Sequence, residues 1–156
     1  MPSLCQPWAN LIAAGRKTVE LRSWSTDYRG PLAICAGREV DHVGAERMRS
    51  SPDELEPRGC AVCVVELVDV RIVLPSDAAA ACAKRLSRDE LDLLWAWIMR
   101  GARRLRPSPV PGKLGLFELN PDASPAALAR RPLGAGYLRS LAVFRRPRWR
   151  NLSPRI

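Results

Sequence analysis

The sequence predicts an α+β domain, because both helical and strand-like apolar patterns occur along it. Trp8, Leu11 and Ile12 fall at the i, i+3, i+4 spacing of one helix face. Residues 18–22 alternate polar and apolar side chains, as a half-buried strand does. Residues 60–73 form a longer apolar run, which predicts a central strand that can be bent. With 156 residues, the chain suits one domain large enough to bury a core without disulfides or a structural metal.

Turn and cap signals delimit the elements of the first half. A short strand is predicted at 3–5, after which Pro7 suits the first position of a helix and Gly15 suits its end. A turn at 27–30 precedes a predicted strand at 31–36. A short helix of mixed charge is predicted at 39–49, and the two prolines in 50–59 indicate a loop.

A second helix is predicted where Ser87 and Glu90 form a capping-box pattern. Gly101 can end this helix. A basic, proline-containing loop over 102–113 and a final strand over 114–119 follow. The apolar stripe of the predicted helix comprises Leu91, Leu94, Trp95 and Ile98.

The positive charge is concentrated at the C-terminal end. The chain has 25 Lys and Arg residues against 16 Asp and Glu, a net charge of +9. Residues 121–156 hold 8 basic and 1 acidic residue, so they contribute +7. We interpret 120–156 as an Arg/Pro-rich extension, partly disordered, in which 125–131 forms a helix and 137–144 packs on the domain. Its charge favours phosphate-bearing partners, although a GC-rich genome produces a similar Arg-rich composition.

The cysteines and the termini indicate a cytoplasmic protein without a metal or another cofactor. Five cysteines, an odd number, lie among mostly apolar neighbours, which is typical of reduced core thiols. The CxxC spacing at Cys60 and Cys63 has no second pair, and His42 is the single histidine, so a four-ligand zinc site is not expected. We expect no membrane span and no signal peptide.

A run of motifs in order resembles the ASCH domain family (activating signal cointegrator homology). The family's Gly-x-Lys-x-x-Glu-x-Arg signature matches at the four positions from Gly15 to Arg22, after a first helix. The resemblance covers about residues 2–119 and thereby places a domain boundary there. The other matching features are Trp8 and its neighbours in 3–9, Trp24, the turn at 28–30, Glu66, Trp97 and the segment 111–117.

The resemblance implies a PUA-like fold, a mixed β-barrel flanked by helices, with a cleft suited to RNA or a nucleotide. The signature residues Lys17, Glu20 and Arg22 would line that cleft. Glu20 and Arg22 share one strand face, where Arg fits a phosphate or base edge and Glu accepts from an amino group. They could equally form a surface ion pair. Strict alternation turns Lys17 away from Glu20, unless the strand starts after Lys17 or twists there.

Aromatic and basic residues extend the candidate nucleic-acid site. Trp8 and Trp97 can stack on bases, and Trp97 is the better candidate because it lies off the apolar stripe of the predicted helix. Core packing is the alternative for both tryptophans. Sequence-independent phosphate contacts are expected from Arg103, Arg104, Arg106 and Lys113.

Three functional hypotheses follow. The first is an RNA- or nucleotide-binding module. The second is a hydrolase acting on RNA or modified nucleosides, with Lys17, Glu20 and Glu66 as catalytic groups. Similar proteins that deacylate cytidine carry a Thr three residues after the Lys, where this chain has Glu20, and Glu66 could instead form a structural salt bridge. The third is a protein partner that docks on 121–156, as in transcription coactivators.

Overall fold

The structure, a computed structural model, describes residues 4–109, 117–118 and 142–144. Within these residues short helices alternate with strands of very different length. Two short 3₁₀ helices, Pro52–Leu55 and Pro75–Asp77, complete the described elements. The helices and strands are β1 (Leu4–Gln6), α1 (Trp8–Ala13), β2 (Val19–Arg22), β3 (Gly30–Val40), α2 (His42–Met48), β4 (Cys60–Ile72), α3 (Arg88–Leu93), β5 (Trp95–Pro109), β6 (Phe117–Glu118) and β7 (Ala142–Phe144).

The strands form one mixed sheet in the order β2-β5-β4-β3-β7-β6 among the described residues. β3 pairs in parallel with β7 and with β1, whereas the other pairings are antiparallel. Ala36 of β3 pairs with both Leu4 and Cys60, so β1 lies on the edge of β3 opposite β4. A mixed half-barrel sheet with short flanking helices results, which confirms the predicted α+β class.

Among the described residues, two buried clusters hold the sheet and helices together. Beneath α1, Ile12 packs with strand residues such as Leu32 and Leu67, and these three side chains are at most 1% exposed. The second cluster is formed by Val19, Val73, Ala81, Leu86 and Ala96. It fixes the segment 78–86 against β2 and β5, and the amide nitrogens of Thr18 and Val19 both donate to the Ala80 carbonyl. We call residues 78–86 the wall segment, because they form one wall of the cleft described below.

The helix predicted from Ser87 to Gly101 is correct only in its first half. The capping box forms, with the Glu90 amide donating to Ser87 Oγ at 3.3 Å, but α3 ends at Leu93. Trp95 to Ile98 are strand residues instead, because β5 pairs with β2 on one side and β4 on the other. Gly101 has a φ of +61°, at a register shift where β5 has one more residue than β4. It therefore serves a β-bulge rather than a helix end.

The predicted basic loop is also wrong over its first part, because β5 continues to Pro109. Arg103, Arg104 and Arg106 are exposed side chains on this strand. Of the predicted strand 114–119, Phe117 and Glu118 are described as β6. Lys113 and the segments 125–131 and 145–156 lie outside the described residues.

A strand from the predicted extension belongs to the sheet. Ala142, Val143 and Phe144 pair in parallel with Leu32 to Ile34 of β3. The sheet therefore extends beyond the boundary that the resemblance placed at 119. Part of the segment 121–156, which the sequence offers as a partner-docking element, is used within the chain itself.

A bidentate ion pair fixes the start of the wall segment. Nη1 and Nη2 of Arg71 donate to the two carboxylate oxygens of Asp77 at 2.8 and 2.7 Å. The Leu74 amide donates to the same carboxylate at 2.8 Å. The Arg71 hydrogen bond and the Leu74 amide hold the pKa of Asp77 below its usual range, against the opposing effect of burial.

We expect Asp77→Asn to lower the free energy of unfolding by about 1–3 kcal/mol at neutral pH, because Arg71 loses its charged partner. A lowered folded-state pKa stabilises the protein above the unfolded aspartate pKa of about 3.9, and this stabilisation is lost as pH falls through the folded value. The difference between wild type and variant should therefore shrink below about pH 4. Chemical denaturation across pH measures it, with Asp53→Asn, an exposed carboxylate in the other 3₁₀ helix, as control. A difference that stays constant down to acid pH contradicts the assignment.

Candidate functional site

A cleft of about 650 Å³ opens between β2, α2 and the wall segment. Its floor comes from the chain around β2, and its rim comes from α2 and from residues 81–94. The lining residues are Leu4, Cys5, Trp8, Lys17, Glu20, Leu21, Arg22, Ser23, Trp24, Asp41, Arg47, Ala81, Ala83, Arg85, Glu90 and Leu94. Four of the residues predicted from the sequence, Trp8, Lys17, Glu20 and Arg22, thus line the same cavity.

Lys17, Glu20 and Arg22 form a continuous charged row on the cleft floor. Lys17 Nζ lies 3.3 Å from Glu20 Oε2, and Glu20 Oε1 lies 3.1 Å from Arg22 Nη2. β2 begins at Val19, so Lys17 precedes the strand and is not bound by its alternation. Lys17 Nζ also donates to the Ala81 carbonyl at 2.7 Å, which ties the row to the wall segment.

The charged row is almost completely buried. The exposed fractions are 5% for Lys17, 7% for Glu20 and 3% for Arg22. Nε and Nη2 of Arg22 are inaccessible to solvent. Because Nη2 contacts Glu20 Oε1, Arg22 orients the Glu20 carboxylate from the buried side of the row. Within the row, two cations flank one carboxylate in a poorly solvated place, where charges act strongly on a ligand.

Trp8 is fixed at the side of the cleft by α2. Its indole Nε1 donates to Asp41 Oδ2 at 3.0 Å, while Asp41 Oδ1 accepts from the Gly44 amide at the start of the helix. Gly44 is buried against the ring, and a Cβ there would lie 2.4 Å from Trp8 Cζ2. Lys17 Nζ lies 5.6 Å from the Trp8 ring centroid, within cation–π distance.

Trp97 is a core residue and is not available for stacking. It is 0% exposed because its side chain packs in the buried cluster beneath α1, and its position on β5 pairs with Glu20 on one side and Val70 on the other. Its Nε1 donates to the Trp24 carbonyl at 3.2 Å, and the two rings meet edge to face at 4.7 Å. Trp24, which is half-buried and lines the cleft, is therefore the second aromatic residue of the site, and Trp97 supports it.

The remaining predicted residues do not border this cleft. Glu66 is half-buried on β4 opposite Arg100, and it lines neither of the described cavities that Lys17 borders. Arg103, Arg104 and Arg106 lie farther along β5 and are likewise not lining residues. Glu66 is a site candidate only through the resemblance, and it does not line the cleft that holds Lys17.

Several lining residues were not predicted from the sequence. Asp41, Arg47 and Arg85 lie on segments whose position depends on how α2 and the wall segment fold over β2. The Ala81 carbonyl is a backbone group, so no residue type in the sequence indicates its role. Trp24 could have been found, since it lies two residues beyond Arg22 in the motif that carries the resemblance.

The thiols of Cys60 and Cys63 lie outside the cleft and are poor nucleophiles. Burial raises the pKa of Cys63 to about 12, and burial together with Glu56 raises the pKa of Cys60. These thiols stay protonated at neutral pH, and a protonated thiol is a weak nucleophile and metal ligand. Among the described residues, no group of His, Cys, Asp or Glu is arranged to hold a metal ion. No described helix is both long and apolar enough to cross a membrane.

We expect Gly44→Ala to displace Trp8 and to lower the free energy of unfolding by about 1–3 kcal/mol, the range of an overpacked contact. The added Cβ meets both the indole and the Asp41 carboxylate that holds it. Chemical denaturation measures the stability. The emission of Trp8 is obtained as the difference in fluorescence between a protein with Trp8 and the same protein carrying Trp8→Phe. Val43→Ala, an exposed position next to Gly44, is the matched control. Unchanged stability and an unchanged Trp8 emission would show that α2 does not clamp the ring.

Comparison with known proteins identifies the family. Activating signal cointegrator 1 of Mus musculus and that of Homo sapiens are each 37% identical to this chain over 78 residues, 43% of the chain but 13% of each relative. The chain thus matches only a small part of those proteins.

Among solved structures, the crystal structure of ASCH from Zymomonas mobilis has a TM-score of 0.48 at 19% identity, covering 69% of this chain and 71% of that one. A structure of a variant of that protein has a TM-score of 0.46 at 18% identity, covering 69% and 70%. Residues 3–94, more than half of the chain, match the family described as ASCH domain. The chain therefore belongs to the ASCH domain family, whose PUA-like α+β fold the resemblance implied.

Proposed function

We propose that the protein binds RNA or a nucleotide in the cleft above Lys17, Glu20 and Arg22. The observation that carries the proposal is the buried charged row, in which Lys17 and Arg22 flank Glu20 beneath a cavity edged by Trp8 and Trp24. An aromatic ligand with an anionic group complements this arrangement. RNA binding is also what membership of the ASCH domain family implies.

Each part of the cleft has a distinct task in this proposal. Trp8 and Trp24 offer ring surface to a base, and one stacked base contributes about 1–3 kcal/mol in known single-strand binders. Glu20, held between its two cations, accepts hydrogen bonds from an amino group of the base. Lys17 offers its ammonium to a phosphate oxygen. Arg22 holds Glu20 in place rather than contacting the ligand.

In this proposal, the exposed arginines of β5 contact the RNA phosphates that lie outside the cleft. Arg103, Arg104 and Arg106 lie close together on one strand, so they bring three exposed positive charges to this part of β5. Such contacts are independent of sequence and weaken with salt. They would add affinity for an oligonucleotide and leave the binding of a single nucleotide unchanged.

Lys17→Met is expected to weaken the binding of a short single-stranded RNA and of 5′-nucleoside monophosphates at least about tenfold, a loss of about 1.4 kcal/mol. Methionine keeps much of the buried stem and removes the charge. Fluorescence titration of the full chain measures the affinity, and circular dichroism verifies the fold. Affinity equal to that of the wild type would exclude the cleft as the binding site.

Two controls separate the cleft from general electrostatic attraction. Lys84→Met removes an exposed lysine outside the cleft and should leave nucleotide affinity unchanged. Replacing Arg103, Arg104 and Arg106 together by Ala should weaken oligonucleotide binding and flatten its salt dependence, by roughly 0.7 in logarithmic slope per lost phosphate contact. The same triple variant should bind mononucleotides like the wild type.

A second candidate function is hydrolysis of RNA or of a modified nucleoside. The 3.3 Å contact between Lys17 Nζ and Glu20 Oε2 favours it, since paired basic and acidic groups can transfer protons in a cleft. Glu66 would act in it only through a rearrangement that brings it to the cleft. The Thr that similar cytidine deacylases carry at the third position after the Lys is replaced here by Glu20.

If the protein is a hydrolase, purified wild type should cleave an RNA pool or release the acyl group from a panel of acylated cytidines. Glu20→Gln should reduce that activity at least a hundredfold, in the range of acid–base catalysis. Liquid chromatography with mass spectrometry detects either product. Glu66→Gln is the informative partner variant, because equal loss would require Glu66 in the reaction. If the substrates stay intact after prolonged incubation with wild type, the hydrolase hypothesis is wrong and only the binding function remains.

A further inference from the structure

Arg47 spans the entrance of the cleft. It lies in the last turn of α2, its side chain is exposed, and its guanidinium carbon is 5.3 Å from the centroid of the Trp8 ring. Its Nη2 also donates to the Cys82 carbonyl at 3.4 Å, which lies in the wall segment on the other side. The side chain therefore bridges the two walls and covers part of the aromatic surface between them.

The position of Arg47 over Trp8 is set by the helix that carries it. Asp41 and Gly44 fix the start of α2 to the indole, through the 3.0 Å hydrogen bond and the close Gly44 contact. Because the helix is short, its last turn is held over the same ring. Substitution of Arg47 would thus remove the cover without altering the contacts that hold Trp8.

The contacts of Arg47 with Trp8 and with the Cys82 carbonyl can be displaced by a ligand. The hydrogen bond to Cys82 is at the upper limit of length, and a base stacking on Trp8 would replace a cation on the same ring. The acids on the rim are engaged elsewhere: Asp41 accepts from Trp8 and from Gly44, and Glu90 caps α3. Neither the ring nor the carbonyl neutralises the guanidinium, so its charge remains available to a ligand.

We propose that Arg47 covers Trp8 in the ligand-free protein and binds the phosphate of a ligand whose ring displaces it. Arg47 then makes the cleft select phosphorylated over unphosphorylated nucleosides, because only the former can use the displaced guanidinium. This inference rests on the proposed function for its ligand, whereas the cover over Trp8 can be tested without any ligand.

The ligand-free test is hydroxyl-radical footprinting of the full chain, with oxidation located at Trp8 by mass spectrometry. Arg47→Ala should raise the Trp8 oxidation rate at least about twofold relative to wild type. Arg38→Ala, an exposed arginine outside the cleft, should leave it unchanged. Oxidation of Trp97, buried in the core, reports any loss of the fold in either variant. An unchanged Trp8 rate in a folded Arg47→Ala protein overturns the cover.

The selection test compares each 5′-nucleoside monophosphate with its parent nucleoside by calorimetry. We expect wild type to prefer the monophosphate about tenfold, and Arg47→Ala to lose at least about fivefold of that preference while binding the nucleoside as well or better. Arg47→Lys, which keeps the charge, should retain part of the preference. An unchanged preference in Arg47→Ala overturns the selection role. Failure of wild type to bind nucleotides and nucleosides alike overturns the proposed function and the selection together, while footprinting still decides the cover.

Discussion

The burial of three ionised side chains next to each other is the constraint on which the cleft depends. Lys17, Glu20 and Arg22 lose most of their hydration, and this loss is tolerable only if each charge has a close partner of opposite sign or a hydrogen-bond acceptor. Glu20 satisfies the requirement by standing between the two cations, and the Ala81 carbonyl completes the set for Lys17. Each of these partners comes from a fixed backbone position. The site is therefore only as well defined as β2 and the wall segment that surround it.

The surrounding structure meets that need by coupling the wall segment to the sheet at both of its ends. At one end, Asp77 is held by Arg71 of β4, and at the other the buried Leu86 packs with Val19 and Ala96. Between them, the Ala80 carbonyl accepts two amides at the start of β2. The aromatic side of the cleft is fixed independently, by α2 acting on Trp8 and by Trp97 acting on Trp24. The charged row and the stacking surface meet where Lys17 lies within cation–π distance of Trp8.

Local patterns in the sequence predict much of the fold and the charged part of the site. The stripe of α1, the alternation before Arg22 and the capping box at Ser87 depend on neighbours in sequence, and each begins an element where expected. The segment 95–101 fails because Trp and Ile fit a helix stripe as well as a strand, and its strand form depends on pairing with two remote strands. Trp97 was misplaced for the same reason. The meeting of Lys17 with Glu20 depends on where β2 starts, which the alternation pattern leaves open by one residue.

The parallel pairing of β7 with β3 has a consequence for the order in which the chain can fold. Residues 32–34 and 142–144 are separated by more than a hundred residues, so this contact closes late and raises the contact order of the domain. Until it forms, the backbone groups of Leu32 to Ile34 on that edge lack their strand partner, while the same residues already belong to the apolar core. During synthesis, this stretch of β3 is a template on which another chain could pair. β7 therefore covers an edge of β3, a strand that is translated long before it.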